Sequence, residues 1–434
     1  MSRISPFKAF LEENTPDYKP YEEFYKHLHA NPELSWGEVE TSAAIATRLG
    51  GLSPDLQITT GIAGTGLIAV LRNGPGRTVL LRADMDALPV KELTGLEYAS
   101  KKMAEDSDGS LQPVMHACGH DMHVTALLAA AETLILGRTQ WSGTLVCLFQ
   151  PAEEAGEGAQ RMIEDGLYTK HGCPIPDVLL GQHVSFRKAG FTDTRPGLLM
   201  AGVDSMKITV YGRGGHASMP HLSVDPTVLA SHIVVRLQTI VSREVKPGSL
   251  AVVTVTGLHS GKAINVISDH ALIELSIRSV DSENRDALIN AIKRIALAEC
   301  SASDSPRDPT FELVSSIPAM HNDPATTDVI NRSFSAHFGL QTHNPSCDVV
   351  PAAEDFSHLA TAIGKPYCFW FFGGHDISDW EKRAEENRLD SVPGLHSPLF
   401  APAIQPTLAT GAEALVVAAL TMLSGDKNGF EAQG

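Results

Sequence analysis

The densest group of ion-binding side chains in this 434-residue sequence is His116-Ala117-Cys118-Gly119-His120-Asp121-Met122-His123. Thiolates and imidazoles are ligands for borderline-soft divalent ions, and Cys118 and His120, flanking a glycine in an irregular turn, can face one ion. Asp121 is placed to orient one of these ligands through a hydrogen bond. Taken alone, the group reads equally well as a buried cysteine beside histidines that cap a helix. Three further sites add to it. Glu153-Glu154 follows Pro151, just after the apolar run Leu145-Val146-Cys147-Leu148-Phe149. Such a pair is ordinary solvated surface on an exposed helix, but beyond a strand one carboxylate can ligate an ion while its neighbour acts as general base. Asp84 and Asp86 follow Val79-Leu80-Leu81, and His183 follows Val178-Leu179-Leu180. The carboxyl ends of strands are where open α/β sheets place their ligands. With His396 the set offers one thiolate, one or two carboxylates and three imidazoles, enough for two divalent ions sharing a water. Cysteine and histidine favour Zn²⁺, while the carboxylates admit Mn²⁺ or Co²⁺.

These residues need a scaffold, and the chain carries its pattern. Short continuous apolar runs alternate with helical spacing over the first two hundred residues, which predicts a mostly parallel sheet flanked by helices, an α/β fold. Between two of the runs, Val124, Leu127, Leu128, Ala131, Leu134 and Ile135 recur at helical intervals, with Gly137 where a C-terminal capping glycine belongs. The middle reads differently: strand 206–211, helix 225–242 opened by Asp225-Pro226, strands 250–256 and 271–277, helix 285–300 and strand 310–314. That βαββαβ order is the ferredoxin-like unit. A strand at 367–372 and a helix at 409–423 then resume the α/β pattern. The expected organisation is a catalytic domain in two parts, 1–202 and 316–434, with an α+β domain inserted at 203–315. The charged, apolar-poor stretch 376–393 reads as a loop. Gly212-Arg213-Gly214-Gly215-His216 lacks the lysine and following helix of a phosphate loop, and reads instead as a tight turn presenting His216.

Composition bounds the partners. Hydrophobic residues make up 43% and charged residues 20% of the chain, an ordinary globular balance, and the formal net charge is -17. With no basic run, nucleic acid and anionic membranes are not expected partners. The N-terminal MSRISPFKAFLEENTPDY has no apolar core of signal-peptide length, the C-terminal DKNGFEAQG carries no recognisable address, and no stretch approaches the roughly 18 apolar residues of a membrane span. The six cysteines form no C-x-x-C pair and read as free thiols. The expectation is a cytoplasmic protein.

The motifs RADMDALP, MHACGHDMH, FQPAEE, GQHV, GRGGHASMP, NVI, AEDF and LHSPLF, in this order, resemble the M20 metallopeptidase family, in particular its amidohydrolases acting on hippurate, auxin–amino acid conjugates and N-acetylated amino acids. The resemblance runs from His29 in HANPELSWGEVET to the last helix. It implies a metal-dependent hydrolase of linear amides that splits a small N-acyl amino acid into a carboxylic acid and a free amino acid. It implies two divalent ions held by Cys118, His120, Glu154, His183 and His396, Glu153 as general base, and Asp86 beside the metals. The inserted domain becomes a lid and dimerisation domain, with His216 polarising the substrate carbonyl, often in the partner's site, and Asn265 contacting substrate. A homodimer follows. Alternatives are a dipeptidase or aminopeptidase of the same family, disfavoured by the Cys-Gly-His form, or a silent homologue that binds a small ligand. The chain departs from the family pattern at Ser268, where proline is usual, at Leu275, where glycine is usual, and at APAIQP after LHSPLF, where an acidic pair is common. These departures bear on the substrate, whose acyl group and amino acid the sequence leaves open.

Overall fold

The computed structural model describes residues 7–105 and 109–424. The DKNGFEAQG segment and the first six residues, which entered the targeting expectations, lie outside the described residues. Two compact units emerge. One holds the described residues through Gly197, Asn322–Asp348 and those from Asp355 onward; the other holds Leu198–His321 with Val349–Glu354. The boundaries therefore fall a few residues outside the expected insert, and a short later segment joins the smaller unit.

The larger unit is built on an eight-stranded sheet. Its order is Gln57–Ile62, Gly66–Asn73, Gly143–Gln150, Thr78–Asp84, Val178–Lys188, Tyr367–His375, Thr192–Asp193, His343–Asn344. The four central strands, from Gly143–Gln150 to Tyr367–His375, run parallel; two antiparallel pairings follow on one side, and on the other Thr192–Asp193 joins antiparallel and then pairs parallel with His343–Asn344. The central strands are buried almost throughout, as parallel strands covered on both faces must be. This is the expected α/β architecture.

Four local expectations need correction. The strand beginning at Val178 runs to Lys188, so His183 sits within it and not beyond it. The helix expected from Val124 starts at His120 and ends at Leu136, which puts His120, Asp121 and His123 in its first turn. All its residues except Glu132 and Leu136 are buried, because the sheet and the Ile404–Ser424 helix cover it on several sides. Gly137 does follow the last turn, but with φ -85 and not left-handed; a side chain there would run into the Phe10 ring, 2.3 Å from the Cβ position. The stretch 376–393 is not all loop. Asp376 accepts a hydrogen bond from the Asp379 N–H and caps a helix, Ile377–Glu385, that the Asp379–Arg383 pair also supports. No apolar face marked it, since none of its residues is buried. The expectation that no stretch approaches a membrane span also fails on length: Ile404–Ser424 is 21 residues long with mean hydropathy 1.5 in its most apolar window, 78% of which is buried within the protein.

The smaller unit has the expected βαββαβ order. Its antiparallel sheet runs Val252–Ser260, His270–Ser279, Gly202–Tyr211, Thr310–Ile317, which is the ferredoxin-like arrangement. Helices Pro226–Arg243 and Ser282–Ala302 cover one face, closing a core that includes Ile208, Leu229, Ile233, Ile273, Ile277 and Ile292. Asp225 caps the first helix by accepting from the Thr227 N–H, and Asp281 caps the second by accepting from the Asn284 N–H. Leu275, standing where glycine is usual, pairs with Met206 and Val255 and is buried, so it adds to this core.

Candidate metal centre

In the larger unit, Cys118 and His120 come together with residues from three other segments. Cys118 lies in the turn before the His120–Leu136 helix, with its Sγ 3.4 Å from His183 Nε2. His120 Nε2 lies 3.8 Å from Glu154 Oε1, and that same oxygen lies 3.4 Å from His396 Nε2. The turn is made possible by Gly119: its φ is +80, and a Cβ there would stand 2.4 Å from Val184 Cγ1, so both conformation and space exclude a side chain. His396 reaches the group from an exposed loop, held by its own N–H to the Ala117 carbonyl at 2.8 Å.

The histidines sort themselves by hydrogen bonding. His183 Nδ1 donates to the Val184 carbonyl at 2.6 Å, which turns Nε2 toward Cys118. His120 Nδ1 is 3.1 Å from Asp86 Oδ1, which leaves its Nε2 toward Glu154. A carboxylate on the far nitrogen fixes the tautomer and raises the basicity of a metal-binding imidazole. His123 is different: Nδ1 bonds to Asp84 and Nε2 accepts from the Val184 N–H, so both nitrogens are used and the ring is a strut. Asp84 is therefore a holder too, gripped by Arg82, which also bonds Gln150 and Asp355. Asp121 does not orient a ligand as expected. Its carboxylate holds His29 Nδ1 at 2.6 Å, and Glu92 takes the other His29 nitrogen at 3.1 Å. The other Asp121 oxygen accepts from the Met122 N–H at 2.9 Å.

The site's electrostatics ask for positive charge. Burial pushes the Cys118 thiol well up, and the nearby Glu154, Glu153 and Asp84 carboxylates push the same way. Burial alone would lower His120, but Asp84, Asp86 and Glu154 outweigh it and hold the ring up to about 10. Burial, with His123 and His120 nearby, keeps His183 well below its ordinary value, which favours the neutral imidazole. His120 Nε2 and Glu154 Oε1 are buried with no hydrogen-bond partner among the described residues. Buried polar atoms without partners are costly, and a cation would satisfy both. Separations of 3.4–3.8 Å are near the roughly 3.3–3.8 Å between ligands of a tetrahedral ion with bonds of about 2.0–2.3 Å. The donor set thus fits divalent ions of the zinc type.

Glu153 sits beside Glu154 in the same turn, with a carboxylate oxygen 3.9 Å from His120 Nε2. His216 and Asn265 lie in the smaller unit, both exposed and joined at the backbone: Gly215-His216 pairs with Val266-Ile267, and the Ala217 N–H donates to the Asn265 carbonyl. His216 Nδ1 accepts from the Ser218 N–H at 3.1 Å, which leaves Nε2 as the outward donor. The sequence reading passed over Ser35, Glu38 and His29 as side chains with roles. All belong to HANPELSWGEVET, whose only signal was polar residues in a segment without apolar periodicity.

A profile described as peptidase family M20/M25/M40 matches residues 80–393. The chain is 39% identical to an N-acetyl-L-cysteine deacetylase of Bacillus subtilis (strain 168), covering 83% of this chain and 81% of that protein. It is 36% identical to a hippurate hydrolase of Campylobacter jejuni, covering 80% and 87%. Among solved structures it is similar to a Bacillus subtilis protein described as a dinuclear metal-binding peptidase of the M20 family, at 26% identity and a TM-score of 0.73 over 96% of this chain and 99% of that one.

Proposed function

The chain belongs to peptidase family M20/M25/M40, and from that membership we propose that it hydrolyses the amide bond of small N-acyl amino acids or similar conjugates, using two divalent ions. The observation that carries this reading is the convergence of Cys118, His120, Glu154, His183 and His396, with His120 Nε2 and Glu154 Oε1 buried and unpartnered among the described residues. These five side chains would hold the ions, Zn²⁺ or Mn²⁺ with Co²⁺ as a substitute. When bound, two such cations lower the pKa of the attacking water and polarise the amide carbonyl.

The chain's own groups do the rest. Glu153 takes the proton of the attacking water on a carboxylate oxygen and returns it to the amide nitrogen as the C–N bond breaks. Asp86 keeps His120 in the tautomer that presents Nε2. His216 donates from Nε2 to the oxygen of the carbonyl under attack, a contribution of roughly 3–4 kcal/mol for a single well-placed donor. Asn265, beside His216, contacts the substrate. A homodimer joined through the smaller unit is part of the same reading. Among the described residues its strand Val252–Ser260 pairs on one side only, an open edge, and Val228 and Val235, seven residues apart on one helix, are 55% and 71% exposed. A cytoplasmic location agrees with six cysteines that are all buried free thiols.

The experiment is release of free amino acid from a panel of acetyl, benzoyl, indolyl-acetyl and longer acyl conjugates, with dipeptides alongside. Metal-stripped protein is reloaded with Zn²⁺, Mn²⁺ or Co²⁺. Wild type releases amino acid only when reloaded, while Glu153→Ala releases none and still binds metal. Turnover by Glu153→Ala sinks the assignment of the base; a preference for dipeptides moves the substrate to the peptidase side of the family.

A further inference from the structure

Three successive backbone N–H groups in the turn carrying Glu153 and Glu154 are held by two buried carboxylates. The Glu153 N–H donates to Asp86 Oδ1 at 3.2 Å and the Glu154 N–H to Asp86 Oδ2 at 3.0 Å. The preceding N–H, of Ala152, donates to Glu38 Oε1 at 2.8 Å, across 114 positions of sequence. Ala152 has φ +50, a left-handed conformation that strains a non-glycine residue. That twist swings the next two residues away from the line of the strand ending at Gln150. Something must hold it, and Glu38 is the partner in place.

Glu38 is itself fixed. It is fully buried, its Oε2 accepts from the Thr65 hydroxyl at 2.8 Å, and its Oε1 also accepts from the Trp36 N–H at 3.0 Å. The same segment sends the Ser35 hydroxyl to Asp86 Oδ2 at 2.7 Å. So 35–38 braces both carboxylates that hold the turn. A carboxylate kept in a dry site beside another carboxylate costs stability, and burial with Asp86 nearby does raise the Glu38 pKa. Hydrophobic packing would fill this space at lower cost, which argues for a role at the turn.

We propose that Glu38 is a positioning residue for the general base: by holding the Ala152 N–H it fixes the left-handed turn that aims Glu153. The inference rests on Glu153 being the base. A displacement of about 1 Å at a reacting group costs on the order of 10²-fold in rate, and the Glu38 hydrogen bonds go to Trp36, Thr65 and Ala152, not to the candidate metal ligands.

The test compares Glu38→Ala, Glu38→Gln and Glu38→Ala with Ala152→Gly, each loaded with metal. Expected for Glu38→Ala is a kcat lower by roughly 10²-fold with KM within about twofold, unchanged metal content, and faster hydrogen exchange at the amides of 152–154. Glu38→Gln keeps an oxygen for the Ala152 N–H, so it restores most of the rate and the slow exchange. Ala152→Gly relieves the backbone strain and restores part of the rate. Wild-type kcat in Glu38→Ala, parallel loss of metal and activity, or a Glu38→Gln variant as damaged as Glu38→Ala overturns the proposal. If Glu38→Ala does not fold, Thr65→Val loosens the same brace, and full kcat with slow exchange in that variant overturns it instead. Wild type inert across the panel, or active Glu153→Ala, would remove the catalytic reading, while the exchange measurement still decides whether Glu38 holds the turn.

Discussion

At the scale of single residues, the candidate ligands are set among buried side chains whose hydrogen bonds are already taken up by their neighbours. His29 is the clearest. It is fully buried between Asp121 and Glu92, and although burial alone would lower its pKa, the two carboxylates raise it to about 9. A group whose pKa is raised on folding contributes stability below its unfolded value, near 6.5, and loses that contribution as pH rises through the folded value. The rise from 6.5 to about 9 corresponds to on the order of 3 kcal/mol. Urea unfolding should therefore show stability falling between neutral pH and about pH 10, and His29→Gln should flatten the fall. Equal slopes in the two proteins would show that the imidazolium is not what titrates.

At the scale of elements, the candidate ligands come from a turn and the helix start it leads into, a turn after a strand, the inside of a strand and an exposed loop, and the first of these turns is set by sterics. Gly119 is a tight point there, with its Cβ position 2.4 Å from Val184, the residue after His183. Gly119→Ala forces that contact apart and strains the left-handed backbone at the same residue. A loss of about 1–3 kcal/mol is expected from the overpacking, read as a lower Tm, together with weaker metal retention as Cys118 and His183 separate. A variant with full metal content and unchanged Tm would mean that the turn has slack. The Ile377–Glu385 helix makes the opposite point: built on caps and ion pairs with no buried face, it left no periodic trace in the sequence.

At the scale of the whole molecule, the open question is assembly. The exposed Val228 and Val235 and the open edge of Val252–Ser260 lie on the smaller unit, and the homodimer reading assigns them to the partner. Val235→Glu should shift sedimentation from dimer to monomer without lowering Tm, because that side chain is 71% exposed in the single chain. A wild type that sediments as a monomer and is fully active would defeat both the dimer and the role of His216 in a partner's site.

The α/β class, the βαββαβ order and the candidate ligand residues that the fold brings together were legible because they rest on local chemistry: apolar periodicity, caps, and rare side chains grouped at or near strand ends. His183 and the start of the His120 helix were misplaced by a few residues, since a strand or helix ends where tertiary hydrogen bonds stop, not where an apolar run stops. The tertiary structure alone decided which histidine is a strut and which is turned toward the thiolate, because that choice depends on the second nitrogen's partner, Asp84 or Val184 or Asp86. It also decided that Asp121 serves His29 and that Glu38 serves Ala152, pairs 92 and 114 residues apart. A sequence states which groups can accept a hydrogen bond; only burial, by removing water as the competing partner, makes one distant acceptor obligatory.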